Sequence, residues 1–218
     1  MRTIKSGFCG LIIGLLLFAP ETRASVLVDT GSPATTQTGA VTVCGSCDTN
    51  SSAQSVALQF SLTNSYDITS IQGFLWYNTT PGSLTLALYS DLNGLPGTQL
   101  YASQFIDDSG QPMSGFGGLV GWSGLSGINW TVSPGNYWAS FEVRSGQTFF
   151  GALPFPAPIE LQAAVKNYAY PNWNANGGAG GGLIVSGDLT PIPLPAPSYL
   201  LGSGLIGLFG AARRRKFS

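Results

Sequence analysis

The chain contains no histidine among its 218 residues, and only 9% of them are charged. Without histidine there is no Ser-His-Asp or Cys-His catalysis and no histidine-ligated metal site. Charge of one sign is also missing from the middle of the chain. Seven of the nine basic residues lie at the ends: Arg2, Lys5 and Arg23, then Arg213, Arg214, Arg215 and Lys216. Only Arg144 and Lys166 remain between Ser25 and Leu189, against nine acids (Asp29, Asp48, Asp67, Asp91, Asp107, Asp108, Glu142, Glu160 and Asp188), so this body carries a formal −7. Such a surface repels phosphate backbones and excludes nucleic acid as a partner. Few Glu and Lys, with 30 glycines and 11% aromatics, disfavour long surface helices and favour strands joined by tight turns.

The two ends read as addresses. Residues 1–24 have a positive start (Arg2, Lys5), an apolar run from Gly10 to Ala19 and a small residue, Ala24, before Ser25. That is the pattern of a secretory signal peptide, with a signal helix too short to span a bilayer permanently. At the other end, Pro191, Pro193, Pro195 and Pro197 alternate with Ile192, Leu194 and Ala196. Alternate prolines hold the backbone extended and remove its donors. The apolar run Tyr199–Ala212 follows, 14 residues long. As a helix it spans about 21 Å, against a hydrocarbon core of about 30 Å. Arg213, Arg214, Arg215 and Lys216 then act as a membrane stop and stay on the cytoplasmic side, which leaves the acidic body exported. A short transmembrane helix acting as a tail anchor and a temporary sorting stop are both compatible with this physics.

The string Ile192-Pro193-Leu194-Pro195-Ala196, with the apolar run and the basic end, resembles the PEP-CTERM tail in its Val-Pro-Leu-Pro-Ala-Ala form. Leu194 stands where the founding motif has glutamate. The resemblance covers about the last 27 residues and implies recognition of Ile192, Pro193, Leu194 and Pro195 by an exosortase, a membrane protease. It further implies a Gram-negative host, a membrane-anchored stage, then a cell-surface or extracellular location associated with exopolysaccharide.

Between the addresses, strand patterns recur with turn chemistry between them. Val56, Leu58, Phe60 and Leu62 alternate with small or polar residues, and Leu84, Leu86 and Leu88 oppose Thr85, Ala87 and Tyr89. Ile71–Tyr77 is a continuous apolar run. Ile128, Trp130 and Val132 alternate, as do Tyr137, Ala139, Phe141 and Val143 against Trp138, Ser140 and Glu142. Thr80-Pro-Gly82, Asn93–Gly97 and Ser133–Asn136 supply turns. Ile159–Lys166 is the best helical candidate, about two turns, Asn172–Gly182 reads as a flexible loop, and Leu183–Val185 as a closing strand. The expectation is an all-β, antiparallel β-sandwich of jelly-roll type over residues 53–189, preceded by an N-terminal extension, 25–52, and followed by the sorting tail, 190–218. Ile71–Trp76, Leu86–Gly97 and Ser133–Trp138 are similar to the "choice-of-anchor" modules found upstream of surface-anchoring tails, which implies the same fold.

Candidate chemistry is sparse. Cys44 and Cys47 form a Cys-x-x-Cys pair, which reads as a local disulfide in an oxidising compartment, with redox chemistry as the alternative. Asp91 and Asn93 invite a calcium reading, but their spacing fails the EF-hand loop and an Asx turn explains the same residues, so no metal is expected. Asp107 and Asp108 read as a ligand pair, a general base or a solvated loop tip, and with Glu142 are the candidates for carboxylate-only hydrolysis. Trp76 and Trp138 sit in strand patterns and are expected in the core, while alternation makes Trp130 and Trp138 potential neighbours in one sheet. Trp173, beside the glycine-rich stretch, is the expected exposed aromatic for a glycan contact. No cofactor is expected. The functional expectation is a non-catalytic surface or matrix protein, with a carbohydrate-binding module and a carboxylate hydrolase as rivals.

Overall fold

The computed structural model describes residues 24–33, 39–45, 47, 53–77, 81–107, 110–112, 118–167, 171–177 and 180–190. The signal segment to Arg23, Asp108, the motif Ile192–Pro195, the run 199–212 and the basic end Arg213–Lys216 lie outside them. By compactness the chain divides into residues 1–188 and 189–218, and all but Leu189 and Thr190 of the second unit lie outside the described residues.

The described residues are all-β, in two antiparallel sheets. The first sheet holds β1 (Ser25–Asp29), β2 (Gly39–Cys44), β4 (Tyr66–Tyr77), β7 (Gln111–Pro112), β8 (Leu119–Val132), β10 (Phe150–Phe155) and β13 (Leu183–Leu189). Its order is β1-β13-β4-β10-β2; β8 runs along the other edge of β4 and carries β7. The second sheet is ordered β12 (Asn174–Asn176), β11 (Ala163–Lys166), β3 (Ser55–Leu62), β9 (Gly135–Glu142), β5 (Gly82–Leu92) and β6 (Leu95–Asp107).

One main core lies between the sheets. The inward residues of β5 (Leu84, Leu86, Leu88) and of β9 (Tyr137, Ala139, Phe141) meet Ile68, Ile71, Leu75 and Tyr77 of β4, as period-two alternation requires. The leucines are 0% exposed. Trp130 joins this core from β8 and stacks on Tyr101 of β6, ring centroids 5.3 Å apart, which pins the two sheets together along one side. The β5–β6 hairpin turns at Asn93 and Gly94, both at positive φ (56° and 78°), the conformation an Asn-Gly pair adopts most readily.

Several expectations change. Ile159–Lys166 is not helical: Ala163–Lys166 is strand β11, paired with β3 and β12. Two turns of helix barely recover their nucleation cost, and cross-strand pairing with backbone fixation on both sides wins. Asn174–Asn176, inside the expected loop, is strand β12. The segment taken as an extension supplies β1, paired with β13, and β2, paired with β10. Trp130 and Trp138 lie in different sheets. Asp107, expected at a solvated tip, is 0% exposed at the end of β6, opposite Gly82.

Gly73 of β4 faces the Phe141 ring so closely that an added Cβ would strike it. Gly73→Val is therefore expected to lower stability by about 1–3 kcal/mol through overpacking. Leu86→Ala, which empties a fully buried site, should cost about 2–5 kcal/mol. Urea unfolding followed by tryptophan fluorescence reads both.

Candidate functional site

The outward face of the second sheet is built from three cross-strand rows. The middle row is small: Ala164 opposes Ala57, which opposes Ser140, then Ala87, then Ala102. On one side runs Gln59, Trp138, Tyr89 and Gln99, again residue opposite residue. On the other side Glu142 opposes Thr85, and Lys166 opposes Ser55. The result is a trough of small side chains between a wall of aromatics and amides and a wall bearing charge.

Trp173, just before β12, packs against the cluster that Ala57, Ala87, Ala164, Tyr89 and Trp138 form on this face. Its ring meets Tyr89 edge-on at 5.8 Å, and Lys166 Nζ sits 4.8 Å from its centroid. The predicted glycan contact is thus half-buried, with Lys166 over its ring. Trp138 is fully buried, as expected, but on the outward face rather than in the main core. Its indole Nε1 donates to Asp91 Oδ1 at 2.8 Å. Trp76 is half-buried and lies outward on the first sheet with Phe74, Val120 and Trp122.

Asp91 is consumed by structure. Oδ1 also accepts from Gln59 Nε2 at 2.7 Å, and Oδ2 accepts from the Gly94 amide at 3.1 Å, closing the hairpin. Desolvation raises its pKa, but the bonds from Trp138, Gly94 and Gln59 outweigh that and hold it below its ordinary value. The Asx-turn reading describes this geometry. Among the described residues no three His, Cys, Asp or Glu side chains are placed to hold a metal ion together.

Glu142 is 4% exposed. Oε1 accepts from Tyr89 Oη at 2.7 Å and Ser140 Oγ at 2.6 Å, and Oε2 from Arg144 Nε at 3.1 Å. Arg144 continues through Nη2 to Gln99 Oε1 at 2.6 Å. Burial pushes the Glu142 pKa up. The bonds from Ser140 and Tyr89, then the charges of Lys166 and Arg144, outweigh it, so the group titrates below its ordinary 4.5. Burial, reinforced by the Glu142 carboxylate, pushes the Tyr89 hydroxyl well above its ordinary 10, so it stays a neutral donor. A carboxylate held ionised by three donors is a poor proton donor and serves here as an anchor.

Arg144 leads from this network into a cavity of about 490 Å3 lined by Gly45, Val143, Gln147, Phe149 and Phe150 as well. Phe150 is 49% exposed at its rim. The Cys44–Cys47 disulfide, with Cα atoms 5.6 Å apart, flanks Gly45 at the same end. Both cations of the described residues, Arg144 and Lys166, act on the one carboxylate Glu142. On an acidic body this is where the two cations meet, beside one buried carboxylate.

No protein-family model, curated protein or solved structure matches the chain. The site therefore rests on its own geometry.

Trp173 and Glu142, singled out in the sequence as a glycan contact and a hydrolytic carboxylate, both lie on this face, Glu142 as a buried anchor; the Arg144–Gln147–Phe150 cavity was not singled out. The signal available was the isolation of Arg144 and Lys166 in a body of nine acids.

Because the folded pKa of Glu142 is depressed, its stabilisation is present above pH 4.5 and is lost as pH falls through the lower, folded value. Unfolding free energy measured across this range should fall less steeply for Glu142→Gln than for the native chain, and an unchanged acid slope would remove the linkage.

Proposed function

We propose that the chain is an exported, exosortase-processed surface or extracellular-matrix protein, non-catalytic, whose jelly-roll-like sandwich associates with exopolysaccharide. The addressing half rests on residues: an apolar run too short for a comfortable span, ended by Arg213–Lys216 and preceded by the rigid Ile192–Pro195 motif. The binding half rests on one observation, the convergence of Trp173, Tyr89, an amide row and both body cations on one sheet face. Aromatic faces next to amides and a cation suit sugar rings, whose C–H faces pack on π-systems while their hydroxyls need donors and acceptors.

This geometry favours a carbohydrate-binding role over the hydrolase reading. Glu142 is an ionised anchor, Asp91 a turn clamp, and Asp107 is buried at a strand end. Among the described candidates two carboxyls facing one open cleft, as glycoside hydrolysis needs, do not occur, and Asp108 lies outside the described residues.

Pull-down on host exopolysaccharide should retain the native chain saturably. Trp173→Ala should weaken retention about tenfold, the ~1.4 kcal/mol of one aromatic contact, with Phe150→Ala weakening it in the same direction. Retention unaffected by either substitution would remove this face as the site. Separately, Pro193→Ala with Pro195→Ala should leave an unprocessed, membrane-retained precursor, seen as an unshortened intact mass; normal shortening in that double variant would refute exosortase processing.

A further inference from the structure

The chain between β9 and β10 folds as a tight turn that carries one of the two body cations. Gln147 N donates to the Arg144 carbonyl at 3.0 Å, and the Arg144 amide donates to Gln147 Oε1 at 2.8 Å. Gly146, at φ 81°, lets the chain reverse between them. Gln147 Nε2 donates on to Thr85 Oγ1 at 2.7 Å, which ties the turn to β5. On the other side of the cavity, Phe150 pairs with Cys44, whose backbone also pairs with Gln54, and the Cys44–Cys47 disulfide closes the chain at Gly45. An added Cβ at Gly45 would lie 2.9 Å from Val143 Cγ1, so the two walls meet without slack. The enclosed volume of about 490 Å3 falls within the about 300–1,000 Å3 of small-molecule sites.

Arg144 is held but not used up. Its guanidinium presents five N–H donors in two forks. The side-on fork is divided: Nε donates to Glu142 Oε2 at 3.1 Å and Nη2 to Gln99 Oε1 at 2.6 Å. The end-on fork, Nη1 with the second N–H of Nη2, donates to no described residue, and the side chain is 38% exposed. Two parallel N–H donors at fixed spacing match the two oxygens of a carboxylate. Of the described residues that line the cavity none is acidic. Glu142 beside it is buried, with its oxygens engaged by Tyr89, Ser140 and Arg144. The lining adds the exposed hydroxyls of Ser145 and Thr148 and the exposed ring of Phe150.

We propose that this cavity takes a hexuronate, whose carboxylate docks on the end-on fork of Arg144 while its ring packs on Phe150; the assignment rests on the glycan-binding reading above and names its sugar class. Ser145 and Thr148 supply partners for the sugar hydroxyls. The formal −7 of the body limits what kind of uronate chain can bind. A long polyanion is opposed over much of the surface. One carboxylate on an otherwise neutral saccharide meets chiefly the charges within about 8 Å, the screening length at physiological ionic strength. The partner is therefore a uronate spaced among neutral sugars, not a polyuronate.

Calorimetric titration of the full chain, in a zwitterionic detergent without a sugar headgroup, compares a glucuronosyl-hexose disaccharide with its carboxyl-reduced form. The two ligands differ in one carboxylate, so the native chain alone decides. Carboxyl reduction should weaken binding about tenfold or more, the loss of a charge-assisted pair. Arg144→Lys keeps a cation beside Glu142 but loses the fork, and should lower the ratio of acid to reduced affinity with circular dichroism unchanged. Phe150→Ala should weaken both forms by the same factor, and acetate at matched concentration should not displace the disaccharide. Equal binding of both forms by the native chain would overturn the uronate assignment and leave sugar binding in place. Binding of neither form, by a chain that the exopolysaccharide pull-down retains, would overturn it as well; failure of both measurements would remove the glycan reading itself. Displacement by acetate, or an unaltered ratio in Arg144→Lys, would also count against it.

Discussion

β9 is buried on both of its faces, and the polar groups this places out of water constrain the second sheet. Inward, Tyr137, Ala139 and Phe141 fill the core between the sheets. Outward, Trp138, Ser140 and Glu142 are also sealed. A buried carboxylate and a buried indole N–H are costly unless every hydrogen-bonding position is met. Tyr89, Ser140 and Arg144 therefore converge on Glu142, and Asp91 and Gln59 are drawn to the end of Trp138. Apart from Ser140 of β9 itself, those partners come from β3, β5 and the segment after β9, so satisfying one strand fixes the side chains of its neighbours. The alanines at 57, 87 and 164 complete the arrangement, because only small residues leave room for Trp173 to lie across the sheet.

Charge is scarce, and on the second sheet Glu142, Asp91, Arg144 and Lys166 each have a definite partner. Arg144 and Lys166 meet beside one buried acid on an otherwise acidic body. Beside them lies the cavity that ends at Phe150.

Much of the strand pattern was visible before the fold. Leu84, Leu86 and Leu88 announced their inward face because period two leaves no other solution for three leucines beside Thr85, Ala87 and Tyr89. The Asn93-Gly94 turn was equally plain, since few residue pairs accept two positive φ values. The alternation of β9 was legible and Trp138 was expected to be buried, but that Ser140 and Glu142 are sealed with it on the outward face was not. β6 passed unnoticed: its bulge breaks the period, and Pro96 and Gly97 imitate a loop. β11 and β12 are too short to carry a pattern, and Ile-Glu-Leu-Gln-Ala-Ala-Val-Lys favours a helix until β3 offers its edge.

Composition and periodicity by themselves determined the all-β class, the acidic body, the turn positions and the exclusion of histidine chemistry. These depend on residues near each other in sequence, where spacing dictates which side chains share a face. Only tertiary structure decided that Glu142 is an anchor, that Asp107 is buried, that Trp130 and Trp138 belong to different sheets and that the two body cations meet. Those facts depend on which strands become neighbours, and the energy of that choice comes from pairings between residues far apart along the chain, which no local pattern records.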